Sequence, residues 1–279
     1  MEDRRWGRAL FHPPSSIIYP RLNPMRVFSY NILDGGEGRA DPLAEVIEAN
    51  RPDVIGLVEA TNGTVIERIA HRLKMDFVHA PGSVSQASAL LTRWTIRDSI
   101  NHGLLRKGLS KSLLEASVLD PKGQAWVFGV VHLHHHAKEA DEQQRERELD
   151  VVLEVFRRHR EANTPHLLMG DFNANSPMQE IDIDKVKPGT RQAWEANGKQ
   201  IPRRVIQRML QAGYLDTLAA ADPKAAKAGG TFTTQFPGQR VDYIFVYGIE
   251  PARIQSGWIE QDRLAKYASD HFPVGAVIQ

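Results

Sequence analysis

The feature that most constrains the fold is a series of short apolar runs that each end on a polar residue. Asn31 follows Val-Phe-Ser-Tyr, Glu59 follows Val-Ile-Gly-Leu-Val, and His132 follows Phe-Gly-Val-Val. Further along, Asp171 and then Asn173 follow Leu-Leu-Met-Gly. Because strands hold such side chains rigidly at the edge of a sheet, we expect these residues to converge on one site.

The last part of the chain adds three residues to this set. Asp242 opens the run Val-Asp-Tyr-Ile-Phe-Val, and Asp270 and His271 stand just before the last apolar run. The set is rich in carboxylates and contains imidazoles and amides but no thiol. The chain has no cysteine, which excludes disulfides, thiolate nucleophiles and thiolate metal sites. Any metal ion must therefore be held by oxygen or by imidazole nitrogen.

Apolar β-type runs alternate with helical segments along the chain, which is typical of an α/β protein. The pattern predicts strands over 26–31, 54–58, 87–92, 94–102, 112–119, 125–132, 166–169, 241–247, 252–258 and 272–278, and helices over 42–50, 64–73, 138–160 and 205–210. The consecutive strands between 87 and 132 indicate an antiparallel part of a sheet. The polar segment 176–202 is expected to be a variable surface loop.

Length and charge limit the organisation and the partners of the protein. We expect residues 25–279 to form a single domain, preceded by an extended arm over residues 1–24 that contains four prolines. The formal net charge of +1 gives no strong field that would concentrate a polyanion. No apolar run approaches the roughly 20 residues that span a bilayer, and no secretory signal is recognisable. We therefore predict a cytoplasmic monomer without a transmembrane segment.

Carboxylates, amides and imidazoles in one site suit the hydrolysis of phosphoesters. Enzymes accelerate this slow reaction by up to roughly 10¹⁷ to 10²¹, whereas one general acid or base contributes only ~10²–10⁴. A hard cation that neutralises phosphate oxygens would supply much of the rest, and Glu59 and Asp270 are ligands that suit Mg²⁺ or Mn²⁺. Asp171 can orient or deprotonate the attacking water, and His271 paired with Asp242 can stay protonated.

Six segments resemble the ordered motifs of the endonuclease/exonuclease/phosphatase superfamily. They are Tyr-Asn-Ile, the strand that ends in Glu59, Val-His-Leu, Gly-Asp-Phe-Asn, Arg-Val-Asp-Tyr-Ile and Ser-Asp-His-Phe-Pro. Each motif alone is a weak signal, because such short matches recur by chance. All six, in the family's order and each beside a predicted strand, make a specific signal that spans residues 26–278.

This resemblance implies a four-layer α/β/β/α sandwich, in which two mixed β-sheets pack face to face between outer helices. It also implies that Glu59 is the principal metal ligand and that Asn31 and Asp270 lie close to the metal. Asp34, three residues after Asn31, is a further candidate for the metal shell.

The same resemblance implies the catalytic roles. Asp171 would activate the water, and Asn173 would hold that water or a phosphoryl oxygen. His271, braced by Asp242, would contact the scissile phosphate. His132 would stabilise the transition state or assist the leaving group.

Several basic residues allow two interpretations. His134, His135 and His136 follow His132 and suggest a zinc site, but they complete no familiar zinc spacing, so we interpret them as loop residues that border the site. Arginines alternate with glutamates over 138–160, which favours an ion-paired, solvated helix surface over a nucleic-acid patch. For a second group of basic residues, we expect a role near the cleft and a solvated position equally: Arg93, Arg106, Lys107, Lys111, Arg203, Arg204 and Arg208.

Three functions remain open at this stage. We favour a phosphodiesterase or phosphatase that acts on a small molecule or a lipid headgroup. The alternative is a magnesium-dependent nuclease, which needs an extended basic surface to hold several phosphates of DNA or RNA. The third is a catalytically silent binding protein, against which the intact acid, amide and histidine positions argue.

Overall fold

A computed structural model describes residues 24–82 and 86–279, so the predicted N-terminal arm lies outside the described residues except for Pro24. Within the described residues, two mixed six-stranded sheets pack face to face, with helices on both outer faces. The predicted four-layer sandwich is confirmed.

The first sheet is built from both ends of the chain. Its strands are β1 (Met25–Asn31), β2 (Val54–Val58), β3 (Asp76–Ala80), β4 (Ser88–Thr92), β11 (Ile254–Ile259) and β12 (Val274–Ile278). They lie in the order β11-β12-β1-β2-β4-β3, and β1 and β2 form the parallel pair at the centre. The other neighbouring pairs are antiparallel.

The second sheet repeats this plan with the middle of the chain. Its strands are β5 (Thr95–Asn101), β6 (Leu113–Leu119), β7 (Ala125–His132), β8 (His166–Asp171), β9 (Leu215–Asp216) and β10 (Asp242–Tyr247). They lie in the order β5-β6-β7-β8-β10-β9, and β7 and β8 are the central parallel pair. Each sheet thus places a parallel pair between antiparallel neighbours.

The helices connect the strands, and several of them cover the outer faces of the two sheets. They are α1 (Ala40–Asn50), α2 (Gly63–Leu73), α3 (His102–Leu105), α4 (Glu139–Val155), α5 (Arg157–Glu161), α6 (Pro188–Ala196), α7 (Arg204–Gln211), α8 (Thr217–Ala221), α9 (Pro223–Ala228) and α10 (Arg263–Ala268). Apolar side chains of α1, α2 and α10 pack on the first sheet, and those of α4 and α7 pack on the second. A third apolar cluster fills the space between the sheets.

This strand order gathers the polar residues at one edge. In a parallel pair the carboxyl ends lie side by side, and an antiparallel neighbour brings its amino end to the same edge. Asn31, His132 and Asp171 are the last residues of β1, β7 and β8, so they lie at this edge. Asp242, the first residue of β10, pairs in register with Asp171, which itself pairs with His132.

The buried face of α4 carries charge as well as apolar side chains. Glu142, Arg145 and Glu148 are each at most 2% exposed, whereas the sequence predicted a solvated charged surface. Arg145 donates to Glu142 through Nε and Nη2, at 3.1 and 3.0 Å. Glu142 Oε1 also accepts from the Val205 backbone N–H at the start of α7. Buried charges persist only when they are paired in this way.

Several boundaries differ from the sequence prediction. The helix predicted over 138–160 is divided at Phe156 into α4 and α5. The segment 176–202 contains the helix α6, so the prediction of an irregular loop was wrong there. The sequence also missed the edge strand β3, because its partly exposed residues lack a clear alternation of apolar and polar side chains.

Two Glu–Arg pairs at the same i,i+3 spacing allow a matched test of the buried charges. Glu142→Ala leaves Arg145 buried without its partner, and loss of such a partner costs about 3–5 kcal/mol. Glu154→Ala breaks the pair with Arg157, in which both side chains are more than half exposed and screened by water, so we expect a much smaller loss of stability. Urea denaturation measures both, and equal losses would contradict this account of α4.

Candidate active site

A cavity of about 810 Å³ opens at the edge where the polar strand ends meet. Five of the predicted site residues line it, namely Glu59, Asp171, Asn173, Asp270 and His271. The other three lie behind its wall: Asn31 contacts Glu59 and Asp171, His132 contacts Asp171, and Asp242 contacts His271. The structure therefore brings all eight predicted residues into one cluster.

Asn31 links the two halves of this cluster. Its Nδ2 donates to Glu59 Oε1 at 3.1 Å and to Asp171 Oδ2 at 3.2 Å, so it connects a residue after the first sheet with one from the second. The Asn31 side chain is oriented by the Leu33 backbone N–H, which donates to its Oδ1. The second oxygen of Glu59 accepts from the Asp34 backbone N–H at 2.9 Å.

Asp270 presents an oxygen that no group in the described residues satisfies. Its Oδ1 is buried without a hydrogen-bond partner. Burial raises the pKa of Asp270, and the negative charge of nearby Glu59 raises it further, although His271 opposes the shift. Two neighbouring carboxylates, one with a free buried oxygen, fit a hard divalent cation, since such ions prefer oxygen ligands and remove this repulsion.

His271 is held between two carboxylates. Its Nδ1 lies 2.9 Å from Asp242 Oδ2, and its Nε2 lies 3.8 Å from Asp171 Oδ2. Burial alone would lower the pKa of His271, but Asp242 and Asp171 outweigh it and raise the pKa to about 10. Ligand atoms of these three residues lie within 4.8 Å of one another, a spacing that would also suit a metal ion. A protonated imidazole, however, has no lone pair to offer a metal.

Asp171 lies at the centre of the cluster. Burial and the Asp242 charge raise its pKa to about 6, while His271 and Lys111 oppose the shift. Asp171 Oδ1 accepts from the Asn173 backbone N–H at 2.8 Å. The preceding Gly170 has φ of 141°, and a Cβ there would lie 1.9 Å from the Val131 carbonyl oxygen. Glycine is therefore required to place Asp171 against β7.

His132 contacts a lysine that the sequence left undecided. Lys111 is 7% exposed, and its Nζ lies 2.6 Å from His132 Nε2. Burial, together with the Lys111 charge, lowers the pKa of His132 well below 6.5. Burial thus favours the neutral imidazole, whose Nε2 contacts the Lys111 amino group and whose Nδ1 is buried without a hydrogen-bond partner among the described residues.

A buried glutamate of α4 positions both members of this pair. Glu148 Oε1 accepts from the Ser110 backbone N–H at 3.0 Å, and Oε2 accepts from the His134 backbone N–H at 2.7 Å. Ser110 immediately precedes Lys111, and His134 lies two residues after His132. One carboxylate thus holds the two chain segments that carry the Lys111–His132 contact.

Backbone strain is concentrated around the cavity. Among the described residues, nine that are not glycine have positive φ, and five of these line the cavity: Leu33, Asp34, Glu59, His136 and Asn173. A left-handed backbone is costly for most side chains and collects at functional sites, where the surrounding structure enforces it.

The His-rich segment and the segment 176–202 form one wall of the cavity. His134, His135 and His136 line the cavity, as expected of residues that border the site. His134 Nε2 lies 3.1 Å from Asp141 Oδ1. Arg145 donates to the carbonyl oxygens of His134 and His136, so the buried charges of α4 also hold this loop.

The remaining basic candidates have other partners. Arg93 donates to the carbonyl oxygens of Pro52 and Leu73. Arg204 pairs with Glu139 and Glu146. The side chains of Arg208 and Asp150 form an ion pair, and Arg203 donates to the carbonyl oxygens of Ser176 and Gln179. Arg106 and Lys107 are exposed, so of this group only Lys111 lines the cavity.

Sequence reasoning missed Phe232 and Lys187. The Phe232 ring lies 4.5 Å from the His271 ring, and Lys187 Nζ lies 4.3 Å from the centroid of Phe232. Neither residue belongs to a motif or ends a strand, so no local signal could have singled them out.

The model of the Endonuclease/Exonuclease/phosphatase family matches residues 28–271. The chain belongs to this family. Its members are hydrolases that act on phosphoester bonds, as nucleases and phosphatases, and they use divalent metals. Among the described residues, no helix has the length and apolar character needed to cross a membrane.

Solved structures of family members share the fold at low sequence identity. The 3′ phosphatase NExo from Neisseria, bound to a product DNA hairpin, is 19% identical, with a TM-score of 0.67 over 91% of this chain and 99% of its own. An AP endonuclease from Archaeoglobus fulgidus is also 19% identical, with a TM-score of 0.66 over 91% and 99%. The human Nocturnin catalytic domain with bound sulfate is 18% identical, with a TM-score of 0.65 over 92% and 93%.

The Lys111–His132 contact can be tested by NMR of the imidazole. Lys111→Met removes a positive charge from beside His132, so we expect the pKa of His132 to rise, while burial still keeps it below 6.5. Lys107→Met, in the same loop but exposed, is the matched control and should change nothing. An unchanged His132 titration in Lys111→Met would show that the ammonium does not act on this imidazole.

Proposed function

We propose that this protein is a divalent-metal-dependent phosphoester hydrolase, with a small molecule or a lipid headgroup as its preferred substrate. The observation that carries the proposal is the distribution of charge around Asp171. Glu59 and the unsatisfied oxygen of Asp270 offer a place for a cation. The His271 imidazolium supplies a second positive charge, and its Nε2 faces Asp171 Oδ2. A phosphate between them would meet positive charge from both sides.

Glu59 and Asp270 would hold the metal ion, and Asn31 would orient Glu59. Their oxygen donors suit Mg²⁺ or Mn²⁺. When bound, the ion would neutralise phosphoryl oxygens and so make phosphorus easier to attack.

Asp171 would accept a proton from water as that water attacks phosphorus. A P–O bond to water then forms and the ester P–O bond breaks. The leaving oxygen takes up one proton, and Asp171 holds the one that the water lost, so the protons balance. Asn173, whose Nδ2 also donates to the Leu133 carbonyl oxygen, would hold the water or a phosphoryl oxygen. His271 would stabilise charge on the phosphoryl oxygens, and Asp242 would keep it protonated and oriented.

His132 would act at one remove from the substrate. It is 2% exposed and does not line the cavity, whereas Lys111 does. Their contact would keep the Lys111 ammonium directed at the cavity, where it adds positive charge beside Asp171. His132 would then stabilise the transition state by positioning Lys111.

The shape of the cavity supports a small substrate. The segment 176–202 and the His-rich loop enclose one side of it, and most arginines of the neighbouring helices α4, α5 and α7 are paired with glutamate or aspartate. Little unpaired charge is therefore left on these helices to track a long phosphate backbone. We further propose that residues 25–279 act as one domain in a cytoplasmic monomer, since one chain supplies the whole cluster.

A nuclease is the second candidate. Two of the solved structures that share this fold are a phosphatase bound to a DNA hairpin and an AP endonuclease, which favours nucleic acid as a substrate. A catalytically silent binding protein is the least supported, because all eight polar residues are present at or directly behind one cavity.

Metal dependence is tested with Glu59→Gln and with chelation. We expect EDTA to abolish hydrolysis of bis(p-nitrophenyl) phosphate and Mg²⁺ or Mn²⁺ to restore it. Loss of a residue that merely supports a ligand costs ~10–100-fold, so loss of Glu59 should lower kcat/KM by about 100-fold or more. Glu67→Gln, on the exposed face of α2, should retain wild-type activity. Hydrolysis that persists in EDTA, or a fully active Glu59→Gln, would overturn the metal site.

The two substrate classes are separated by a direct comparison. With Mg²⁺ present, we expect the protein to leave plasmid and single-stranded DNA intact on gels while it hydrolyses members of a small phosphoester panel that includes inositol phosphates and sphingomyelin. If wild-type protein degrades DNA and a parallel Glu59→Gln preparation does not, the nuclease function is correct and the small-substrate preference is wrong.

A further inference from the structure

Lys187 lies beside the catalytic cluster without belonging to it. Its Nζ is 4.3 Å from the centroid of the Phe232 ring, which in turn lies 4.5 Å from the His271 ring. The two distances together place this ammonium within about 9 Å of the His271 imidazole. Among the described residues, Lys187 has no carboxylate within ion-pair distance, so its charge is available to a ligand in the cavity.

Two imidazoles border the cavity together with Lys111 and Lys187, two of the three lysines that line it. The rings of His135 and His136 lie 3.8 Å apart. Burial chiefly lowers the pKa of each, to about 4 for His135, and a lysine charge contributes in both cases: Lys111 acts on His135 and Lys187 acts on His136. Lys187 thus contacts the Phe232 ring and lines the same cavity as His135 and His136.

The wall that carries Lys187 is firmly anchored. Lys187 immediately precedes α6, whose buried residues Thr190 and Ala193 line the cavity. At the other end of α6, Asn197 Nδ2 donates to the Ala137 carbonyl oxygen at 3.1 Å, which joins α6 to the His-rich loop. Arg203 closes the base of the segment through its bonds to carbonyl oxygens. The packing of this segment thus holds the backbone at Lys187 in place.

Other lysines of this region behave differently. Lys185 is exposed and pairs with Asp182 at 2.9 Å, and Lys227 pairs with Glu180 at 2.7 Å. Lys187 instead rests on an aromatic ring that contacts a catalytic imidazole. A cation that is unpaired, partly desolvated and next to a phosphate-binding site is suited to a second anion.

We propose that Lys187, with His135 and His136, forms a subsite for a second phosphate group of the substrate. The substrate class is then a phosphoester that carries another phosphate about one sugar or polyol ring away from the scissile bond. The proposal rests on the proposed function for the identity of the scissile group. A dianion at this subsite would favour protonated His135 and His136, which would then donate to it.

The second phosphate can come from two sources. It belongs either to a bisphosphorylated small molecule or to the neighbouring nucleotide of a nucleic-acid strand. The chemistry that Lys187 recognises is the same in both, so the experiment includes one arm for each.

The test is isothermal titration calorimetry without divalent ions, so that no turnover occurs. Two pairs of probes differ by one phosphate: adenosine 5′-monophosphate with adenosine 3′,5′-bisphosphate, and inositol 1-phosphate with inositol 1,4-bisphosphate. We expect at least one bisphosphate to bind roughly tenfold tighter than its monophosphate, as for one charge-assisted contact. Lys187→Met should remove that gain without weakening the monophosphate, and Lys187→Arg should keep it.

Lys185→Met is the matched control, because it removes a lysine two residues away that does not line the cavity. It should bind all four probes as the wild type does, and equal melting temperatures for the two methionine variants would exclude a folding effect. A 5′-phosphorylated dithymidylate forms the nucleic-acid arm. If Lys187 contributes more to the affinity for this probe than to the affinity for the bisphosphates, the subsite is supported and the second phosphate is assigned to a strand.

The proposal is overturned if neither bisphosphate binds tighter than its monophosphate, or if the gain survives in Lys187→Met. These outcomes are separate from the fate of the proposed function. A protein that hydrolyses no phosphoester but shows the Lys187-dependent gain would retain the subsite and lose the hydrolase. One that hydrolyses mono- and bisphosphates with equal KM, unchanged by Lys187→Met, would retain the hydrolase and lose the subsite.

Discussion

The burial of several carboxylates at one sheet edge is the constraint on which the rest of the site depends. Asp171 and Asp242 are 1% exposed, and Asp270 has a buried oxygen without a partner. Like charges in a poorly solvated site repel strongly unless positive groups are placed among them. The His271 imidazolium and the Lys111 ammonium meet part of this need, and the divalent ion that we propose at Glu59 and Asp270 would meet more of it.

A set of supporting contacts behind the site accompanies this buried charge. Glu148 holds the backbone of Ser110 and His134, and Arg145 holds the carbonyl oxygens of the His-rich loop. These residues carry charge into the layer between α4 and the second sheet, where apolar side chains would pack with less cost of desolvation. Their directional hydrogen bonds fix loops that apolar contacts alone would leave free to shift.

The central layers, and the gathering of eight polar residues at one edge, could be predicted because their signals are local. An apolar run followed by Asn31 or Glu59 is visible within a few residues, and the parallel and antiparallel pairing then brings the strand ends together. The edge strand β3 and the helix α6 were missed, because partly exposed segments carry weak periodicity and are stabilised by contacts with distant residues. The burial of Glu142 and Glu148 was missed for a related reason: alternating charge is the same in sequence whether a helix face meets water or another helix.

The sequence by itself determined the alternation of strands and helices and the kind of chemistry its polar strand ends support. These follow from the periodicity and residue type of contiguous segments, which the chain carries before it folds. Only the tertiary structure decided that Lys111 contacts His132, that the Phe232 ring contacts the His271 ring and that Lys187 lies over Phe232. Such contacts join residues 21 to 45 positions apart in the chain, and they exist only once two sheets and the segment 176–202 have packed around the same cavity.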